Sequence, residues 1–200
     1  MTESVAVPLA LVAAYLIGSV DFAVVVARMH GVDIHQVGSG NPGTANVLRT
    51  LGRGPAIAVL VGDMMKGVLA AGMGMVAGGD PIGVWAFAAG LAAVVGHCYP
   101  IFHRFKGGKG VATAVGVVAL TVPLAALVMG VVWGAIVGIT RISALGSLGL
   151  SVAAVPLAIW RGVEGPAAVV LGVIFLLVIW RHRGNIRRLL AGEERTVTGN

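Results

Sequence analysis

Gly110-Val111-Ala112-Thr113-Ala114-Val115-Gly116-Val117-Val118-Ala119-Leu120 decides how this chain is threaded. The stretch is apolar and ends at Thr121-Val122-Pro123. It falls short of the roughly 20 residues that a spanning helix needs. Taken alone it reads as a re-entrant piece. The charges around it argue for a crossing. Other apolar runs lie at residues 5–27, 55–77, 82–102, 121–138, 144–160 and 167–180, the last continuing as a polar helix. If 110–120 also crosses, one side receives Arg28, Arg49, Arg53, Arg104, Lys106, Lys109, Arg141, Arg181, Arg183, Arg187, Arg188 and Arg195. Of the 14 basic residues, only Arg161 is left for the other side, beside Glu3, Asp80 and Glu164, with Lys66 inside a run. Without that crossing the charges scatter. Cytoplasmic loops collect Lys and Arg. The reading is therefore an all-α polytopic membrane protein with seven transmembrane helices, the N-terminus outside and the C-terminus cytoplasmic.

Composition agrees. Hydrophobic residues make up 58% of the 200 and charged ones 11%, against roughly 25% charged in a soluble domain. The 31 glycines suit helices that approach closely in lipid. A single cysteine, Cys98, excludes an intrachain disulfide, and no Cys/His cluster offers a structural metal site. The first run has no basic segment before it and is too long for a signal-peptide core, so it reads as a retained first helix. No linker separates domains, which leaves one integral membrane domain over residues 1–200.

Three polar stretches interrupt the apolar chain, all on the basic side. The first, residues 37–49, contains Gly38-Ser39-Gly40-Asn41-Pro42-Gly43. This matches G-x-G-x-x-G, but no βαβ unit surrounds it, so a dinucleotide site is disfavoured. Two readings remain. Glycines can free backbone N–H groups for an anion, with a helix over 44–51 adding its dipole and carrying Asn46 and Arg49 on one face. Alternatively, Gly and Asn here simply make turns. The second stretch includes Lys106-Gly107-Gly108-Lys109-Gly110 before a helix. It fails the P-loop spacing, which disfavours a nucleoside triphosphate and leaves a single-phosphate cradle or a loop that only sets topology. The third, residues 181–194, places His182 and Asn185 three apart, on one helical face. Its arginines also suit anionic headgroups.

Within the spans, Asp63 and Lys66 are spaced for a buried ion pair, Asp21 stands inside the first run, and His97 lies near the inner end of the third. No H-x-x-x-x-D pair, no G-x-S-x-G elbow and no acidic cluster for magnesium occurs. That argues against a kinase, a CDP-alcohol transferase and a covalent acyl-enzyme.

The three stretches together resemble the bacterial acyl-phosphate:glycerol-3-phosphate acyltransferase family. The likeness rests on Gly38-Ser39-Gly40-Asn41 through Arg49, on Gly96-His97 with Phe105 to Thr113, and on Arg181-His182-Arg183-x-Asn185 through Glu194, with Asp63-x-x-Lys66-Gly67 and Gly18-Ser19 besides. It covers the chain from Tyr15 to Glu194. Three departures stand out. Asp21 replaces the usual Pro, Thr or Asn, Gly43-Thr44-Ala45-Asn46 replaces G-A-T-N, and the spacing around Ser143 and Ser147 differs.

The resemblance implies transfer of a fatty acyl group from acyl phosphate to the 1-hydroxyl of glycerol 3-phosphate, giving lysophosphatidic acid and phosphate. It places the site at the cytoplasmic face of a bacterial inner membrane. It implies Ser39, Arg49, His182 and Asn185 as catalytic. Substrate contacts fall to Gly38, Gly40, Asn41, Gly43, Asn46, Lys106, Gly107, Gly108, Lys109, Gly110 and Ser143. Glycerol phosphate goes to the second loop, acyl phosphate to Ser39 and Arg49, and the glycerol hydroxyls to His182 and Asn185. No metal, cofactor or nucleic acid is implied; the partners are the two substrates, membrane lipid and a soluble enzyme supplying acyl phosphate. Either His182 or the donor's own phosphate can take the hydroxyl proton, and the reading favours His182 as an orienting group. The rival is a transporter or binding protein for small anions, which should show inverted repeats and helices broken near the midplane.

Overall fold

The protein is described from a computed structural model covering residues 3–197, with side chains from residue 5. The Glu3 side chain and the outer ends of the expected domain, residues 1–2 and 198–200, lie outside the described residues. All regular structure among the described residues is helical. The first apolar run is not one helix. It breaks into α1 (Glu3–Gly18) and α2 (Phe22–Met29). In a lipid solvent the backbone groups freed by such a break need partners. The Asp21 carboxylate caps α2, accepting from Val24 N at 3.1 Å. The buried Lys66 ammonium reaches across to donate to Gly18 O at 3.2 Å and Val20 O at 2.8 Å.

The short helix α3 (Thr44–Leu51) follows the first glycine loop and occupies the range expected of it. It buries Val47 in a small cluster with Ala23, Val24, Ile34 and Val59, which seats the loop on α2 and on α4 (Arg53–Gly78). Next come α5 (Val84–Cys98), a 3-10 turn (Ile101–His103), α6 (Val111–Thr121), α7 (Pro123–Thr140) and α8 (Ser143–Trp160). The last helices are α9 (Gly165–Arg181) and α10 (Arg183–Leu190), which meet at a 54° bend. Length and composition admit 5 spans, or 6 if the bent pair is one, with α6 as a shorter apolar helix. The expected seven requires α6 as well.

Helix α4 is the hub, packing on α1, α5 and α6, while α7 leans on α8 and α6. The main core gathers Phe87, Val117, Met129, Leu171 and Phe175 from α5, α6, α7 and α9. Backbone meets backbone where α4 crosses α6. A Cβ on Gly67 would collide with Thr113 O, and one on Gly116 with Met64 O. Lipid supplies no hydrophobic drive between helices, so such close approach carries the packing. Replacing Gly116 with Val should cost roughly 1–3 kcal/mol by overpacking. Thermal unfolding in detergent should therefore show a clear drop for Gly116→Val and none for Gly134→Ala, whose added Cβ meets nothing within 4 Å.

Candidate active site

Three segments converge on one cavity of about 610 Å³. The first is the loop before α3. Gly38 and Gly40 take left-handed backbone, with φ of 59° and 67°, which glycine adopts without strain. Asn46 is buried beneath them. Its Oδ1 accepts from Ser39 N at 2.9 Å, and its Nδ2 donates to Val37 O at 3.1 Å and Ile34 O at 3.4 Å. The loop is thus wound around one amide, which presents Ser39 and Asn41 at the cavity wall. Arg49, a turn further along α3, lines the same wall. It donates through one terminal nitrogen to Thr196 O at 3.4 Å, while its buried Nε has no partner within the protein among the described residues.

The second segment leads into α6. Arg181 stacks on Tyr99 at 5.0 Å and donates to Gly108 O at 3.0 Å and Gly107 O at 2.8 Å. Gly108 N donates to His97 O at 3.1 Å. A side chain on Gly107 would strike His97 O and Pro100, and one on Gly108 would strike the His97 ring and Pro42 O. Gly107 and Gly108 are therefore held by close packing, and neither lines the cavity. Lys106 is exposed and also lies off the cavity, whereas Lys109 and Gly110 line it.

The third segment is the α9–α10 corner with the chain after it. His182 is 2% exposed, and its Nδ1 stands 2.8 Å from Val178 O. A carbonyl only accepts, so Nδ1 carries the proton and Nε2 keeps a lone pair. Burial pushes the imidazole down to about 4, and the Lys109 cation adds to the shift. Lys109 Nζ donates to Asn185 Oδ1 at 2.6 Å. Asn185 Nδ2 donates to Glu194 Oε1 at 2.7 Å, and Arg188 holds the other carboxylate oxygen at 2.9 Å. Burial pushes the Lys109 ammonium down to about 8. Glu194 opposes that shift, and Arg188, Arg49 and Arg181 reinforce it.

The structure brings Ser39, Asn41, Gly43, Asn46, Arg49, Lys109, Gly110, Ser143, His182 and Asn185 to this cavity. Gly38 and Gly40 shape its rim without lining it. Sequence reasoning did not assign Glu194, although it is the lone acid held inside the arginine cluster. Nor did it find the apolar limb, lined by Leu60, Met64, Val115, Ala119, Leu127, Gly130 and Trp133. A second, polar chamber of about 390 Å³ adjoins the cavity, shares Ser39, Arg49, Lys109 and Asn185 with it, and adds Arg181, Arg183, Arg187 and Arg188. One cavity therefore has a cationic mouth and an apolar tail. That shape fits an amphiphile with an anionic head beside a second, water-soluble anion.

Comparison with known proteins gives the same direction. The family described as glycerol-3-phosphate acyltransferase matches residues 8–192. The glycerol-3-phosphate acyltransferase of Roseobacter denitrificans is 46% identical over 198 residues, covering 97% of this chain and 96% of its own. That of Halalkalibacterium halodurans is 44% identical over 191 residues, covering 93% of each. The crystal structure of PlsY (YgiH), an integral membrane glycerol 3-phosphate acyltransferase, in its glycerol 3-phosphate form superposes with a TM-score of 0.91. It shares 39% identity over 95% of this chain and 94% of that one.

The two shifted groups set a pH expectation. A base lowered to about 8 is cationic below that pH and neutral above it, so anion binding through Lys109 should fade as pH rises past 8. His182, lowered to about 4, stays neutral from pH 5 upward. Sulfate remains a dianion across this range. Its affinity, measured by calorimetry, should be flat from pH 5.5 to 7.5 and fall by up to about tenfold per unit above 8. Lys109→Met should abolish that dependence.

Proposed function

The chain belongs to the glycerol-3-phosphate acyltransferase family, and from that premise we propose that it transfers a fatty acyl group from acyl phosphate to the 1-hydroxyl of glycerol 3-phosphate. The observation that carries the reading is the continuity of the cationic mouth with the apolar limb in one cavity. An acyl phosphate laid there has its phosphate at Ser39 and Arg49 and its tail between α4, α6 and α7. Glycerol 3-phosphate enters through the polar chamber, which shares that wall.

The chemistry needs little from the protein beyond placement. Acyl phosphate is a mixed anhydride and is already activated. The glycerol hydroxyl oxygen forms a bond to the acyl carbon, the bond from that carbon to the phosphate oxygen breaks, and phosphate leaves. Lysophosphatidate is the other product. Charge builds on the carbonyl oxygen and on the departing phosphate, and preorganised donors stabilise both. The lone pair on His182 Nε2 accepts from a glycerol hydroxyl and aims it, and the leaving phosphate takes the proton. Asn185, clamped between Lys109 and Glu194, fixes the height of the ammonium that meets the glycerol phosphate.

The same reading treats residues 1–200 as one domain with seven crossings: the broken α1–α2 pair, α4, α5, α6, α7, α8 and α9. The N-terminus is outside, and the catalytic face is in the cytoplasm with the basic residues. Spanning helices suit a donor whose tail is stabilised in lipid by about 0.8 kcal/mol per methylene. In a bacterium this is the inner membrane, and a soluble enzyme must supply the acyl phosphate there.

Purified protein given palmitoyl phosphate should release inorganic phosphate only when glycerol 3-phosphate is present, with lysophosphatidic acid formed in equal amount. Uptake of small anions into vesicles without acyl transfer would instead support the transporter. Gly130 tests the apolar limb, because it lines the limb and a Cβ there meets nothing within 4 Å. Displacing about two methylenes forfeits ~1.6 kcal/mol, or roughly tenfold. Gly130→Phe should thus slow palmitoyl phosphate about tenfold and leave octanoyl phosphate nearly unchanged.

A further inference from the structure

We infer that His97 is a fixed, uncharged hydrogen-bond donor into the reaction cavity, its Nε2–H turned there by the buried Asp63–Lys66 pair. His97 and Asp63 both line the cavity, and His97 is only 5% exposed. Lys66 Nζ stands 3.0 Å from His97 Nδ1. An ammonium has three protons and no lone pair. It spends them on Gly18 O, Val20 O and His97 Nδ1. Asp63 Oδ1 lies 3.5 Å from the same Nδ1, beyond hydrogen-bond length, so the short contact is the one to the ammonium and the ring nitrogen facing it is the acceptor. That leaves the imidazole proton on Nε2. Asp63 Oδ1, 2.8 Å from Nζ, balances the ammonium by charge while lacking a well-directed hydrogen bond. This matches an ammonium whose protons are already committed.

The ring is placed between the two loops of the site. A Cβ on Gly108 would run into both His97 Nε2 and Pro42 O, so the second loop keeps glycine where the imidazole edge passes. The His97 carbonyl meanwhile holds Gly108 N at 3.1 Å. Among the described residues Nε2 has no hydrogen-bond partner in the protein. The cavity thus presents opposite histidines. His182 offers a lone pair through Nε2, and His97 offers a proton through Nε2.

The inference rests on the acyl-transfer reading and gives His97 a task within it. The cations and Ser39 are taken up by phosphates. The acyl carbonyl oxygen, which becomes negative when the hydroxyl attacks, needs a donor of its own. Nε2–H supplies it without transferring the proton. Lys66 and Asp63 are positioning residues that act through the ring.

The first test needs no activity. In ¹⁵N-histidine-labelled protein, long-range proton–nitrogen spectra, with the His97 signals assigned by their loss in His97→Gln, should show Nε2 protonated and Nδ1 bare. A proton on Nδ1 would overturn the inference whatever the enzyme does. The second test is kinetic. Losing one such donor costs roughly 10²–10³ in turnover. His97→Leu should lower kcat by about that factor with little change in KM for glycerol 3-phosphate, and His97→Gln, whose amide can still donate, should recover most of it. Equal rates for the Leu and Gln variants, or a loss confined to KM, would sink the proposal. A wild-type protein that turns over no acyl phosphate would defeat the underlying acyl-transfer reading, while the tautomer result would still stand or fall alone.

Discussion

One buried ammonium organises this protein. Lys66 lies within α4, yet its side chain ends among the loose carbonyls left where the first span breaks. A charge at that depth is costly unless every proton finds a partner. Here it finds two carbonyls, one imidazole and the Asp63 carboxylate. Each partner belongs to a different structural task. The carbonyls belong to the break between α1 and α2, and the carboxylate to α4 itself. The imidazole belongs to α5, whose His97 carbonyl anchors the loop into α6. Removing the ammonium would leave a bare carboxylate and unpartnered backbone together. Such uncompensated burial is among the few mechanisms with large single-residue effects.

Around that anchor the site balances like charges. Lys109, Arg49, Arg181 and Arg188 crowd together, and burial weakens the hold of Lys109 on its proton. Glu194 is the counterweight. It is supplied by the chain after α10, which folds back so that Thr196 O meets Arg49 and Val197 N meets Arg141 O at 2.7 Å. The tail thereby stitches α3, α10 and the α7–α8 turn over the mouth of the cavity. An anion entering there meets cations already oriented by one carboxylate, so little reorganisation is needed as it binds.

What the sequence revealed follows from what lipid leaves visible. Charge stands out in any apolar background, so the cations of the mouth, Arg49, Lys109, Arg181 and Arg188, were legible. Glycine clusters survive too, and the helix from Thr44 was legible because Asn46 and Arg49 recur on one face after the glycine loop. The break at Ser19 was not, because residues 5–27 are apolar on both sides of Ser19 and Asp21, and Gly18-Ser19 is ordinary at a helix contact. Asp21 stood out as a charge, but its role as a cap depends on a bend whose freed carbonyls Lys66 partners from another helix. Gly107 and Gly108 were legible as unusual, and the reason differs in part. Gly107 packs against His97 and Pro100, Gly108 against His97 and Pro42, and Gly108 N is already bonded. The folded-back tail carried no periodicity to read.

The apolar limb was hidden for a deeper reason. In a soluble protein an apolar stripe marks the buried face of a helix, because the opposite face must be polar. In lipid both faces are apolar, so Leu127 and Gly130 on the groove look no different from Ile139 facing outward. What distinguishes the groove is helix length. Helix α6 has 11 residues, about 16 Å at 1.5 Å each, roughly half the hydrocarbon thickness. Its first turn touches the cationic mouth through Gly110 and Val111, and its far turns, at Val115 and Ala119, floor the apolar limb. Longer neighbours, α4 and α7, form the walls. A full-length helix in that position would fill the space that the tail of an amphiphile requires. The shortness that made residues 110–120 look like a doubtful span is thus the feature that joins the glycine-rich loops to the apolar limb.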